Sequence, residues 1–166
     1  QTERGFSKMD ELISNLEHCL STFEAPSVAS TEQSGFFVRS SITQFGLNYA
    51  NKKGIAYGMD IFALDNKYQV TSQKDMKKII DWDWTDNKKY VTEKYDCDNF
   101  AFSFKAMVDR RFGVNNVGLV IDYSGGHAYN IIVFTDGSVR LFEPQSDRWA
   151  RIGTSQYKFE EGKILI

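Results

Sequence analysis

The chain has 166 residues, 42% hydrophobic and 25% charged, a composition that fits one domain with a core of its own and excludes wholesale disorder. Its net charge is −2 and no basic run stands out, so no nucleic-acid partner is expected. No apolar stretch approaches the roughly 18 residues of a membrane span, so no membrane partner is expected; no signal peptide is expected in these residues either, and the start at Gln1 is expected to reflect an upstream part removed or left out.

In chain order, Met9, Leu12, Ile13, Leu16, Cys19, Leu20 and Phe23 recur at helical spacing and predict an amphipathic helix over 7–23, with Ser7 as N-cap and Asp10 in the first turn. Cys19 lies on its apolar stripe and reads as a small buried hydrophobe, while His18 beside Glu17 reads as solvated. Residues 26–34 form a polar loop. From 35 to 65 the pattern fits either a short strand and a helix or two strands, ending in a strand-like run from Ile55 to Leu64 with a bend at Gly58. Ser72 to Ile80 predicts a short helix capped by Thr71 or Ser72. Residues 81–90 have loop composition, and their two tryptophans predict a loop packed down on the core.

Residues 97–112 predict a helix. Phe100, Ala101, Phe104, Met107, Val108 and Phe112 form one stripe, and Gly113 stands where a helix-ending glycine belongs. Strands follow over 117–123, 127–134 and 138–142, divided by Ser124-Gly125-Gly126 and Thr135-Asp136-Gly137. Helical material first, a central helix, then an antiparallel meander is an α+β layout in one domain over 1–166. Residues 1–65 form its N-terminal helical or mixed part and 66–166 its core. Thirteen Phe, eight Tyr and three Trp predict a densely packed core and an aromatic-lined groove. The two cysteines stand far apart without a CxxC partner, so reduced thiols in a soluble protein are expected, in an intracellular or virion-associated setting.

The chemistry concentrates in three segments. Cys97 opens the central helix, where free backbone amides and the helix dipole stabilise a thiolate and cradle an oxyanion. His127 opens an apolar strand and Glu143 ends the next. Thiol, imidazole and carboxylate are the parts of an activated cysteine nucleophile. Asp96 and Asp98 are anions beside a group that should become one, so they are expected to point away, with Asp96 as an N-cap, or to be neutralised by a cation. With Asn99 they supply the hard oxygen ligands that calcium prefers, without the spacing of an EF-hand.

The hairpin loop decides whether His127 and Glu143 meet. A two-residue Asp136-Gly137 turn puts Glu143 opposite Asn130, on the face away from His127. A three-residue loop with Gly137 at the left-handed position pairs Phe134 with Ser138 and Tyr129 with Glu143. His127 and Glu143 then become same-face diagonal neighbours, roughly 7–8 Å apart at Cα. The glycine placement predicts this bulged hairpin, with Asn130 facing the other way.

Asp-Cys-Asp-Asn-Phe-Ala at 96–101, His-Ala-Tyr-Asn at 127–130 and Phe-Glu-Pro-Gln at 142–145 resemble the papain-like cysteine protease domain of the mushroom agglutinin C-terminal type, over about residues 82–149. Related domains occur in phages and bacteria. The Cys-Gly-Ser-Cys-Trp signature of true papains is absent, and no β-trefoil part is visible, so sugar binding is not carried over. The resemblance implies a papain-like or transglutaminase-like fold, a central helix carrying Cys97 packed on an antiparallel sheet. It also implies Cys97 as nucleophile, His127 as base, Glu143 as orienting acid and a Ca²⁺ near Asp98 and Asn99; the chemistry itself requires no cofactor. The expected activity is that of a cysteine peptidase or isopeptidase acting on a peptide or protein through an acyl-enzyme. A transglutaminase-type acyltransferase and a catalytically vestigial binding or virion structural module are the alternatives.

Overall fold

In the computed structural model, which describes residues 2–166 (side chains of residues 2–6 and 20–23 excepted), the chain opens on helix α1, Thr2–Phe23. Its stripe does not behave as expected: Met9, Leu12, Ile13 and Leu16 are all exposed, and so is Cys19. An apolar stripe is buried only where another element covers it, and none of the described side chains of α1 is buried. The expectation for Leu20 and Phe23 lies outside the described side chains. Both cysteines are free thiols.

The mixed stretch after residue 34 contains one long helix, α2, Gly35–Lys53. Ser34 caps it by accepting from Phe37 N at 3.1 Å, and Gly54 ends it in the left-handed conformation at φ 66°. Its buried positions, Val38, Ile42, Gly46 and Ala50, recur every fourth residue among polar ones. Ahead of α2, the expected polar loop holds a short strand, β1 (Thr31–Ser34). Beyond the helix, β2 spans Gly58–Phe62 and β3 spans Lys67–Val70; β1 and β3 form an antiparallel pair. Helix α3, Gln73–Trp82, has Ser72 as its cap and buries Met76, Ile79 and Ile80. A 3-10 turn follows at Thr85–Asn87, and helix α4 runs Cys97–Phe112 to Gly113 at φ 64°.

The remaining strands are β4 (Val117–Asp122), β5 (His127–Val133), β6 (Val139–Glu143), β7 (Arg148–Ala150) and β8 (Glu161–Leu165). The large sheet has the order β2-β8-β4-β5-β6-β7. The expected antiparallel sheet is corrected here: β8 inserts between β2 and β4, antiparallel to β4 but parallel to β2, which makes the sheet mixed. Both of its faces are covered. Tyr129, Ile131 and Val133 of β5 pack with Val38 and Ile42 of α2. Ile132 and Phe142 pack on the other side with Met76 and Ile79 of α3 and Phe104 and Val108 of α4. Alternation along the strand sends neighbours to opposite faces, and two covered faces explain why β5 is apolar almost throughout. Asn130 is the polar exception; its amide donates to Ala101 O at 2.9 Å and Gly118 O at 3.1 Å, tying α4 to the sheet. No helix among the described residues is long and apolar enough to cross a membrane.

Candidate functional site

Three structural devices converge on one cleft. The first is the start of α4. Asp96 caps the helix and accepts from Glu93 N, while Asn99 Oδ1 accepts from the Asp96 amide at 3.1 Å. A hydrogen bond between the side chains of Asp96 and Asp98 holds the Asp96 carboxyl below its ordinary range and the Asp98 carboxyl above it. Both carboxyls stand beside half-buried Cys97.

The second device is the 122–126 turn, which delivers His127. Asp122, buried at the end of β4, accepts from Ser124 Oγ, Gly125 N, Tyr129 Oη and Phe159 N at 2.5–2.9 Å. Gly125 is required by close approach: a Cβ there would lie 1.9 Å from the Gln156 carbonyl oxygen. The turn is thereby clamped against the segment around 156–159.

The third is the bulged hairpin. Val133 pairs with Val139 and Asn130 with Phe142, Phe134 N donates to Ser138 O, and Gly137 takes φ 80°. This is the register of the three-residue loop. His127 and Glu143 fall on one face, with His127 Nε2 2.5 Å from Glu143 Oε1. Asn130 faces α4, as that register requires.

The cleft at this junction has a volume of about 460 Å³ and is lined by Asp96, Cys97, Asp98, Tyr123, Gly126 and His127, among others. The structure thus brings Cys97 and His127 to one cleft, with Glu143 behind the imidazole. No hydrogen bond joins Cys97 to His127 among the described residues, and only 7% of the His127 side chain is exposed. Tyr123, by contrast, is 60% exposed beside it.

Two functional neighbours escape sequence reasoning. Tyr157 Oη donates to the same Glu143 Oε1 at 2.8 Å, and its ring meets His127 edge-on at 5.6 Å. Burial first, then the Glu143 carboxylate, pushes the Tyr157 hydroxyl pKa up, so it stays a donor. It lies in a tight turn with no periodic pattern. Asp122 carried a signal, because a strand-ending acid before Ser-Gly-Gly is a turn-capping residue.

At this turn Asp96 and Asn99 each accept from a backbone amide, and the Asp98 side chain is hydrogen-bonded to that of Asp96. Of the two loop tryptophans, Trp82 packs edge-on against Phe112 at 5.5 Å, whereas Trp84 is 64% exposed. Trp84 lines a second cleft of about 510 Å³ with Asp83, Lys88 and Tyr95.

Residues 50–162 match the family described as ricin-type beta-trefoil lectin C-terminal domain. No curated protein sequence matches the chain significantly. Among solved structures, one described as a "PSL1a-E64 complex" is similar at 22% identity with a TM-score of 0.58, over 81% of this chain and 51% of that one. A second, Polyporus squamosus lectin bound to the human-type influenza-binding epitope Neu5Aca2-6Galb1-4GlcNAc, gives 21% identity and a TM-score of 0.58, over 81% of this chain and 49% of that one. The chain therefore spans about half the length of these structures. These findings correct the resemblance drawn from the motifs. The matching family and the second structure are named as lectins, and none of the three is described as a papain-like protease. The fold class is corrected with it, from papain-like or transglutaminase-like to the mixed-sheet architecture shared with those lectins. The peptidase activity and the peptide partner lose their support in turn.

Proposed function

Because the chain belongs to the ricin-type beta-trefoil lectin C-terminal domain family, we propose that it is a binding module whose ligand is a neutral glycan, held in the cleft at the start of α4. The observation that carries this reading is the composition of that cleft, which lies wholly within the matched residues. Tyr123 offers an exposed ring for the apolar face of a sugar, and Asp96 and Asp98 offer carboxylate oxygens to its hydroxyls. The same two acids disfavour an anionic sugar, since unpaired like charges across an interface repel. The neutral part of the epitope named above, Galβ1-4GlcNAc, is therefore the better probe than its sialylated form.

Calorimetric titration of the chain with both saccharides tests this. Saturable binding of Galβ1-4GlcNAc is expected, weaker binding of the sialylated form, and roughly a tenfold loss in Tyr123→Ala. No saturable binding, or a loss in Trp84→Ala but not in Tyr123→Ala, overturns it.

The short His127–Glu143 contact favours a second reading, in which Cys97, His127 and Glu143 make a reactive-thiol site within the same cleft. Glu143, itself held by Tyr157, orients the imidazole through Nε2, which leaves the other ring nitrogen as the base this reading assigns to the thiol proton. In a Cys19→Ser background, needed because Cys19 is exposed, iodoacetamide is expected to alkylate Cys97 and to do so roughly tenfold more slowly in His127→Ala. Equal rates in the two proteins sink this reading.

A further inference from the structure

The cleft that holds Trp84, about 510 Å³ in volume, is built from three separate pieces of chain. Trp82 closes α3, Trp84 precedes the 3-10 turn, and Lys88 and Tyr95 come from the segment that leads to α4. Met107 and Arg111, four positions apart on one face of α4, complete it. Its size falls within the roughly 300–1,000 Å³ usual for small-molecule sites.

Two of its three aromatic walls are fixed. Trp82 meets Phe112 edge-on at 5.5 Å. Tyr95 meets Phe100 edge-on at 4.8 Å, and its hydroxyl donates to Ser103 Oγ at 2.7 Å. Trp84 is 64% exposed. Rings already held by their own neighbours offer stacking area at little cost in ordering.

Each fixed ring also carries a cation. The Arg111 guanidinium lies 5.4 Å from the Trp82 ring centroid, and the Lys88 ammonium 5.3 Å from that of Tyr95. An adjoining cleft of about 370 Å³ shares Met107 and Arg111 and adds Arg110. The α4 dipole favours arginines in the last turn, which would suffice to explain them if a carboxylate answered their charge. None does: among the described residues no salt bridge involves Lys88, Arg110 or Arg111, and none of the three makes a hydrogen bond within the protein. Asp83 is the only acid in the lining; it is 6% exposed and its Oδ1 is taken up by Thr85 N and Thr85 Oγ1.

We propose that this cleft binds a small ligand in which a flat aromatic ring carries an anionic group, a carboxylate or a phosphate. The ring stacks on the tryptophan and tyrosine walls. The planar fork of Arg111 takes two oxygens of the anion, and Lys88 adds a point charge. The ligand class thus differs from a neutral glycan, and the site does not depend on what the Cys97 cleft holds.

Four naphthalene probes of nearly one shape test this by calorimetric titration of the whole chain: naphthoate, naphthyl phosphate, neutral naphthalenemethanol and cationic naphthylmethylammonium. Saturable binding of at least one anion is expected, roughly tenfold tighter than the alcohol, with the ammonium weakest. A preference for naphthoate assigns a carboxylate ligand, and a preference for naphthyl phosphate assigns a phosphate. Trp84→Ala is expected to weaken the preferred anion roughly tenfold. Arg111→Gln is expected to remove most of the difference between that anion and the alcohol. Phe102→Ala, an exposed ring of the same helix outside the cleft, should leave both unchanged. Trp84 and Arg111 are exposed, so both variants should keep the parent Tm, and the comparison of probes on the parent chain needs no variant at all. No saturable binding of either anion, equal affinity for anion and alcohol, or an anion affinity that neither Trp84→Ala nor Arg111→Gln lowers overturns the proposal.

Discussion

Replacing Asp122 with alanine is expected to destabilise the fold by about 3–5 kcal/mol, read as a lower urea midpoint at unchanged slope. This carboxylate is 1% exposed and accepts four hydrogen bonds, two on each oxygen. Truncation leaves the Tyr129 hydroxyl and the Phe159 amide, both buried, without an acceptor. Each orphaned donor costs about 1–3 kcal/mol. The damage extends to the cleft, because Asp122 clamps the turn that presents His127 to the segment that presents Tyr157. Asp122→Asn keeps the volume and one acceptor oxygen, so it should lose less. A loss below about 1 kcal/mol in the alanine variant would show that the clamp is dispensable.

Phe104→Ala is expected to cost about 3–5 kcal/mol as well, through packing rather than polarity. The ring is fully buried, 4.7 Å from that of Phe142, in the cluster that joins α3 and α4 to the sheet. Its removal leaves a cavity beneath the helix whose first turn carries Cys97. Phe102, two positions away on the same helix and 50% exposed, is the control, and its alanine variant should stay within about 0.5 kcal/mol of the parent. Equal losses at the two positions would contradict the way α4 sits on the sheet.

The bulged hairpin shows how far local chemistry reaches. Gly137 at a left-handed position selected the loop length, the loop length set the register, and the register put His127 and Glu143 on one face. Helix α4 was equally readable, since a stripe of apolar residues and a terminal glycine are written within sixteen consecutive positions. The stripe of α1 is just as clear and yet stays exposed, because periodicity states which face would be buried and not whether anything covers it. Strands β1, β3, β7 and β8 went unread for the complementary reason. They are three to five residues long, and β8 takes its place from partners far away in the chain. The motif around Cys97, His127 and Glu143 resembled a peptidase, whereas the family and one of the similar structures are named as lectins. A shared motif does not by itself carry fold or activity, and activity has to be argued from the site itself.

By itself the amino-acid order determined the central helix, the meander that follows it and the pairing of His127 with Glu143, because turn chemistry and side-chain alternation act over a few bonds. Only the tertiary structure decided that Cys97 shares a cleft with His127, that Tyr157 reaches Glu143, and that Trp82, Trp84 and Tyr95 share another with Arg111. Those meetings depend on how helices and turns distant in sequence pack across a sheet, and the energies that place them belong to no single segment.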